Sequence, residues 1–267
     1  MHVRFSTRLL LPAAACALLV FGCSDDDDKS TAPGPTPTVV SGTAADAAGL
    51  ATYVAQYRAL LGSDNGGDPG TRGESGYREL TWDAVPDEES APYAYHGNFF
   101  NATTAPRARG IVLSTPGSHL EVSASIANPT STLPRFGDIN AQYPTIFKTF
   151  SGEKLFSPVG SNVVDVRFFV PGTDVPAAVR GFGAVYTDVD TRHTAFEYFD
   201  QNGNSLGTYE TPISNESLSF LGVAFDRAVV YRVQVRYGTT ALGPNDDANH
   251  DVAVMDNFIF GEPQAIE

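Results

Sequence analysis

The chain of 267 residues is short of cysteine, tryptophan and positive charge, and each shortage removes a class of answers. Cys16 and Cys23 are the only cysteines, so nothing after residue 23 can form an internal disulfide, and the remainder must be held by its core alone. The chain is long enough to bury such a core. Lysine and arginine number 17 against 31 Asp and Glu, for a formal net charge of −14, which argues against nucleic acid as a partner. Surface solvation accounts for this acidity as well as affinity for divalent cations does.

Catalytic signatures are also missing. There is no Gly-x-Ser-x-Gly elbow, helical His-Glu-x-x-His pair or phosphate-binding loop, and His96, His119, His193 and His250 lack partners at zinc spacing. The Glu-x-Asp-x-x-Glu strand motif of jelly-roll glucanases is absent. The expectation is a protein that is not an enzyme. A divergent hydrolase with carboxylates on separate strands stays open as a third reading.

What is present begins with an export signal. His2, Arg4 and Arg8 precede an uncharged apolar run from Leu9 to Gly22, which is too short to cross a bilayer and ends at Cys23 before the acidic run Asp25 to Asp28. Leu19-Val20-Phe21-Gly22-Cys23 resembles the lipobox of bacterial lipoproteins. That resemblance implies a signal peptide over 1–22, a lipid-bearing Cys23 and a stable membrane anchor. Ser24, rather than Asp, implies sorting to the outer membrane, with the face it presents left open. Cleavage elsewhere, such as after Ala13-Ala14-Ala15, is the alternative.

Residues 23–42, rich in Ser, Thr, Pro and Asp, read as a flexible tether. Thr43-Ala44-Ala45-Asp46 matches a capping box, and Ala47, Leu50, Val54, Tyr57 and Leu61 recur at helical spacing until Gly62, which predicts an amphipathic helix over 44–61 within segment 43–62. Its apolar stripe is expected to pack on an adjacent element, with partner binding as the other use.

Segment 63–267 reads as an all-β domain. Strands are predicted at Gly110–Leu113, Val163–Val170, Gly181–Tyr186, Ala195–Phe199, Ser205–Tyr209, Leu218–Phe225, Val229–Tyr237 and Val252–Phe260, and Asn202-Gly203 marks a hairpin. Many short strands without β-α-β alternation indicate a jelly-roll-like β-sandwich with one N-terminal amphipathic helix.

Two constellations stand out. In the last strand Asp256 shares an alternating face with Val252, Val254, Phe258 and Phe260, where an unpaired carboxylate is costly. A structural calcium ion would satisfy it, with Asp188, Asp190, Asp247, Asn249 and Asp251 as further oxygen ligands. Segment 247–251 resembles the opening of a calcium loop but lacks the glycine and closing glutamate. The other reading is a polar turn there, with Asp256 paired to Arg78 or Arg180 or capping backbone amides. The second constellation is Trp82 with Asp83, Tyr93 and Tyr95, a candidate ligand-binding platform for a sugar face if the indole is exposed and a core anchor if it is not.

Gly76 to Asp87, Asn98 to Asn101, Gly181 to Asp190, Ser219 to Val223 and Gly243 to Phe258 resemble a family of exported bacterial β-sandwich proteins to which no activity is attached. The resemblance implies a fold and an exported location. The expected function is a lipid-anchored binding module, with glycan as the candidate ligand, and the alternative is a structural or adhesive cell-envelope protein.

Overall fold

The computed structural model describes residues 34–266, of which Pro35 onward forms one compact unit. The predicted signal, Cys23 and most of the predicted tether lie outside the described residues.

Two antiparallel sheets face each other. The first runs β1 (Pro37–Ala44), β11 (Ser214–Phe225), β8 (Gly181–Val189), β13 (Val254–Gly261), β5 (Phe156–Val159), β4 (His119–Val122), with β2 (Tyr77–Leu80) also paired to β13. The second runs β10 (Ser205–Glu210), β9 (Ala195–Phe199), β12 (Arg232–Arg236), β6 (Val163–Phe169), β7 (Pro176–Ala178), β14 (Gln264–Ala265), with β3 (Ile111–Ser114) paired to β6. The protein is thus the all-β sandwich that its strand pattern predicts. The core between the sheets is largely aromatic, with Trp82, Phe156, Phe182, Phe196 and Phe258 in contact.

A second apolar layer lies outside the first sheet, where helix α1 (Ala47–Leu61) buries Leu50, Val54, Tyr57 and Leu61 against β11, β8 and β13. This explains why all nine residues of β8 are buried, because both of its faces are covered. Gly183 and Gly222 make room for the Tyr57 ring, where a Cβ would come within 2.9 and 2.6 Å of it, and the Tyr57 hydroxyl donates to the Val223 carbonyl at 3.0 Å. Burial of each aliphatic side chain contributes about 1.5–3 kcal/mol, so tertiary packing holds the helix in place.

Two expectations about the N-terminal segment are corrected. Residues 37–42 are not tether but the start of an edge strand, β1, paired residue for residue from Pro37–Phe225 to Ala44–Leu218. Drawing Thr43 and Ala44 into that strand moves the helix start: Asp46 is the N-cap, accepting from the Gly49 amide at 2.9 Å, and Gly62 closes the helix by donating to the Arg58 carbonyl. Strands β4, β5 and β7, short and rich in polar residues or proline, are additions to the predicted set.

The alternating face assigned to the last strand is interrupted. Met255 pairs with Tyr186 and Phe258 with Ala184, so three steps on β13 oppose two on β8. The extra residue is a bulge at Asp256-Asn257, which places Met255, Phe258 and Phe260 together in the inter-sheet core.

Candidate functional site

The expected aromatic platform is core. Trp82 is fully buried, stacked on Phe156 with ring centroids 4.3 Å apart, and its Nε1 donates to the Asp256 carbonyl at 2.8 Å. Tyr95 is buried edge-on to the indole, while Tyr93 is 49% exposed, so the aromatics offer no shared surface. Asp83 is exposed, but its Oδ1 accepts from the amides of Glu153 at 2.6 Å and Lys154 at 3.1 Å, which fixes the turn packed beside it. It borders an open groove of about 550 Å³ with Asp87, Glu88 and Glu153. The ammonium of Lys154 in that groove is tied to the Val85 carbonyl, Asp87 and Ser90.

The expected calcium ligands do not form one site. The bulge carries the Asp256 carboxylate to the amides of Phe150 at 2.6 Å and Ser151 at 3.2 Å, the amide-capping arrangement left open by the sequence. Burial pushes its carboxyl up to about 7 against the pull of those amides. Neighbouring Asn257 continues the network, accepting from Ser151 Oγ and donating to Glu79, which pairs with Arg58 of α1. Neither Arg78 nor Arg180 is the partner of Asp256; Arg78 pairs with Glu262, and Arg180 donates to the Phe225 carbonyl.

Asp188, Asp190 and Asp251 do meet, with Asp246, where β8 ends. Asp188 adopts a left-handed backbone conformation (φ 64°) opposite a register shift in β11, and its buried carboxylate accepts from the Glu216 amide at 2.7 Å. Burial first, and then the facing Asp246 carboxyl, pushes Asp188 up to about 8, and Asp246 is raised as well. Asp190 is also raised, by burial and then by Asp251 and Asp246, and its Oδ1 is buried without a hydrogen-bond partner. Asp251 accepts from the Thr191 hydroxyl. Asp247 and Asn249 sit apart at an exposed turn tip, where Asp247 accepts from the Asn249 amide and contacts His250 Nδ1 at 3.0 Å. Among the described residues no three His, Asp or Glu side chains are arranged to hold a metal ion.

One arrangement escaped the sequence reading. Ser118 Oγ lies 3.0 Å from His119 Nδ1, and His119 Nε2 lies 3.2 Å from Glu121. The signal was available, because His119 and Glu121 are two apart on a strand and share a face. The Ser118 hydroxyl also lies 3.1 Å from the Val159 carbonyl, which competes for its single hydrogen, and its own amide is tied to that same carbonyl. The group ties the start of β4 to the end of β5.

A larger concave surface lies at the opposite end of β8 from the acidic cluster. One groove of about 360 Å³ runs between the β9–β10 hairpin and the C-terminal segment, with Asp200, Gln201, Asn202 and Gln264 around a floor of Ala178 and Val229. A second, of about 530 Å³, is bounded by Glu74, Arg180, Asp226 and Arg227, and the two share Ala228 and Gln264 as a common border. The Gln264 carboxamide is oriented by Nε2 donating to the Gly73 carbonyl at 2.6 Å, which leaves its oxygen as an acceptor. Sequence reading overlooked this surface because its residues come from five separate segments.

No protein-family profile matches the chain. No curated protein matches it either. Among solved structures it is similar to the enzymatically active domain of bacteriophage CBA120 tailspike protein 4, at 14% identity and a TM-score of 0.27, over 67% of this chain and 22% of that one. The chain therefore spans about a fifth of the length of that structure, and a likeness at this level carries nothing about activity.

Proposed function

We propose that the protein is exported, anchored in the outer membrane through lipid on Cys23, and acts as a binding module that holds a glycan along the joined grooves at the Gln264 end of the sandwich. The observation that carries this reading is the shared border at Ala228 and Gln264, which makes two grooves into one elongated surface of amide, carboxylate and guanidinium groups over small apolar residues. Sugar hydroxyls need donors and acceptors at fixed positions, and the Gln201, Asn202 and Gln264 carboxamides offer both without the desolvation cost of a full charge. The lipobox segment and the tether that follows it support the anchored location.

The test is a glycan array probed with the full-length lipidated protein in detergent, followed by calorimetry on any ligand found. Replacing Gln201 and Gln264 by Ala removes two hydrogen-bonding groups and weakens binding about tenfold or more. Binding that ignores both substitutions defeats the reading. Retention of an envelope protein with no glycan bound would instead favour the structural or adhesive role.

A further inference from the structure

The chain contains two Asn-Gly pairs, Asn65-Gly66 and Asn202-Gly203, and the fold treats them in opposite ways. Asparagine is thermolabile, and a following glycine aggravates this because no Cβ shields the next amide nitrogen. Reaction requires the carboxamide carbon to swing onto that nitrogen, so a carboxamide held in place by its neighbours is protected.

Asn65 is held. Its Nδ2 donates to the Ser75 carbonyl at 3.1 Å and to Glu262 Oε2 at 2.9 Å, and that glutamate is itself fixed by a buried arginine. Gly76 closes over the same side chain, so tightly that a Cβ there would lie 2.3 Å from Nδ2. The Gly66 amide is engaged by Asp64 at 2.8 Å.

Asn202 is free of such restraint. It is exposed at the tip of the β9–β10 hairpin, and its carboxamide has no hydrogen-bond partner among the described residues. Gly203 follows at φ 81° with open space where a Cβ would stand, and its amide donates to the Asp200 carbonyl at 3.1 Å and also faces the Asp200 carboxylate. These contacts close an exposed turn at the hairpin tip, where backbone hydrogen bonds open more readily than those of a buried strand.

We propose that Asn202 is a site of spontaneous covalent modification, converting to aspartate and isoaspartate as the protein ages, while Asn65 is preserved. The Gly203 backbone nitrogen attacks Cγ of Asn202 and loses its proton to water, the C–N bond of the carboxamide breaks, and ammonia leaves. The resulting cyclic imide is then opened by one water molecule at either carbonyl, giving the α-linked or the β-linked acid. Because Asn202 lines the groove, either product adds a negative charge to a wall that already carries Asp200. The modification stands on the two local geometries alone; only its effect on a ligand rests on the glycan reading.

The full-length protein is incubated in mildly alkaline buffer, sampled over days, and both peptides are followed by mass spectrometry and isoaspartyl methyltransferase labelling. A parallel sample in denaturing urea removes the fold. In the native protein the Asn202 peptide converts at least about tenfold faster than the Asn65 peptide, as expected from the two hydrogen bonds that restrain Asn65, and in urea the two rates converge. An Asn65 peptide that keeps pace natively, or an Asn202 peptide still intact when the urea sample has converted, overturns the proposal. A Gly203→Ala variant checks the chemistry, because a Cβ beside the attacking nitrogen slows conversion at Asn202 and leaves Asn65 unchanged. If the converted fraction forms but binds glycan like fresh protein, the groove reading is what fails.

Discussion

Arg78 and Glu262 form a two-to-two ion pair in the interior, Nε to Oε2 at 2.8 Å and Nη2 to Oε1 at 2.9 Å, with both side chains fully buried. The remaining guanidinium hydrogens reach the carbonyls of Asp68, Gly70 and Ala108 at 2.8–2.9 Å. One arginine thus gathers the glycine-rich loop after α1, the start of β3 and the segment leading into Gln264. Removing one partner strands the other charge in the core. Arg78→Met is expected to cost about 3–5 kcal/mol in urea unfolding, and the Arg78→Met, Glu262→Met double variant should recover much of that loss. A double variant no better than the single would show that the carbonyl contacts, rather than the charge pair, carry the stability.

The Asp188–Asp246 pair makes stability fall as pH rises. An aspartate in the unfolded chain titrates near 3.9, whereas Asp188 is held up to about 8 in the fold and Asp256 up to about 7. Between those limits the folded state binds more protons than the unfolded state, so each step up in pH favours unfolding. The stabilisation is complete below about pH 4, the unfolded value, and is lost as pH passes through the folded values. Asp246 and Asp190, both raised as well, face Asp188 from the neighbouring segments and sharpen the trend, while the Glu216 amide opposes it. Thermal midpoints measured across this range should decline with pH, and Asp188→Asn, which keeps an acceptor for the Glu216 amide, should flatten the decline. A midpoint that rises steadily with pH would contradict the raised carboxyls.

Trp82 is the single tryptophan, so its emission reports one site. Stacked on Phe156 and edge-on to Tyr95 and Phe258, the indole should emit at short wavelength and resist acrylamide. Trp82→Ala is expected to cost about 3–5 kcal/mol, and Trp82→Phe less. Emission already characteristic of water in the native protein would reopen the platform expected from the sequence.

Much of the sandwich was legible because its long central strands carry their own signal. The helical stripe of Leu50, Val54, Tyr57 and Leu61 was also plain, and it is the face that α1 buries. Its start was misread because Thr43 satisfies a capping rule locally while its backbone is claimed by Ser219 across the sheet. Local propensity lost to a pairing partner 176 positions away, by the register of β1 and β11. The Asp256 reading was right that the carboxylate needs partners, and of the sources it left open the backbone amides supply them, not an ion or an arginine. Alternation counts residues and is blind to an inserted one, so the bulge at Asp256-Asn257 could not be read from the strand pattern.

The bulge also decides what calcium should do. If Asp256 were a calcium ligand, adding the ion would raise the thermal midpoint by linkage, and a chelator would lower it. Its Oδ2 is instead occupied by the amides of Phe150 and Ser151, and the Ser151 hydroxyl, whose hydrogen goes to Asn257, stands 3.3 Å from Oδ1. The expected outcome for the full-length protein is one midpoint in excess calcium and in excess chelator. Asp256→Asn retains an acceptor and removes a buried charge, so its loss at neutral pH should be small. Asp256→Ala leaves buried amide donors unsatisfied and should cost about 1–3 kcal/mol for each. A calcium-dependent rise of several degrees that disappears in Asp256→Asn would return the carboxylate to the metal-ligand role, and the 150–151 segment would then have to move aside to admit the ion.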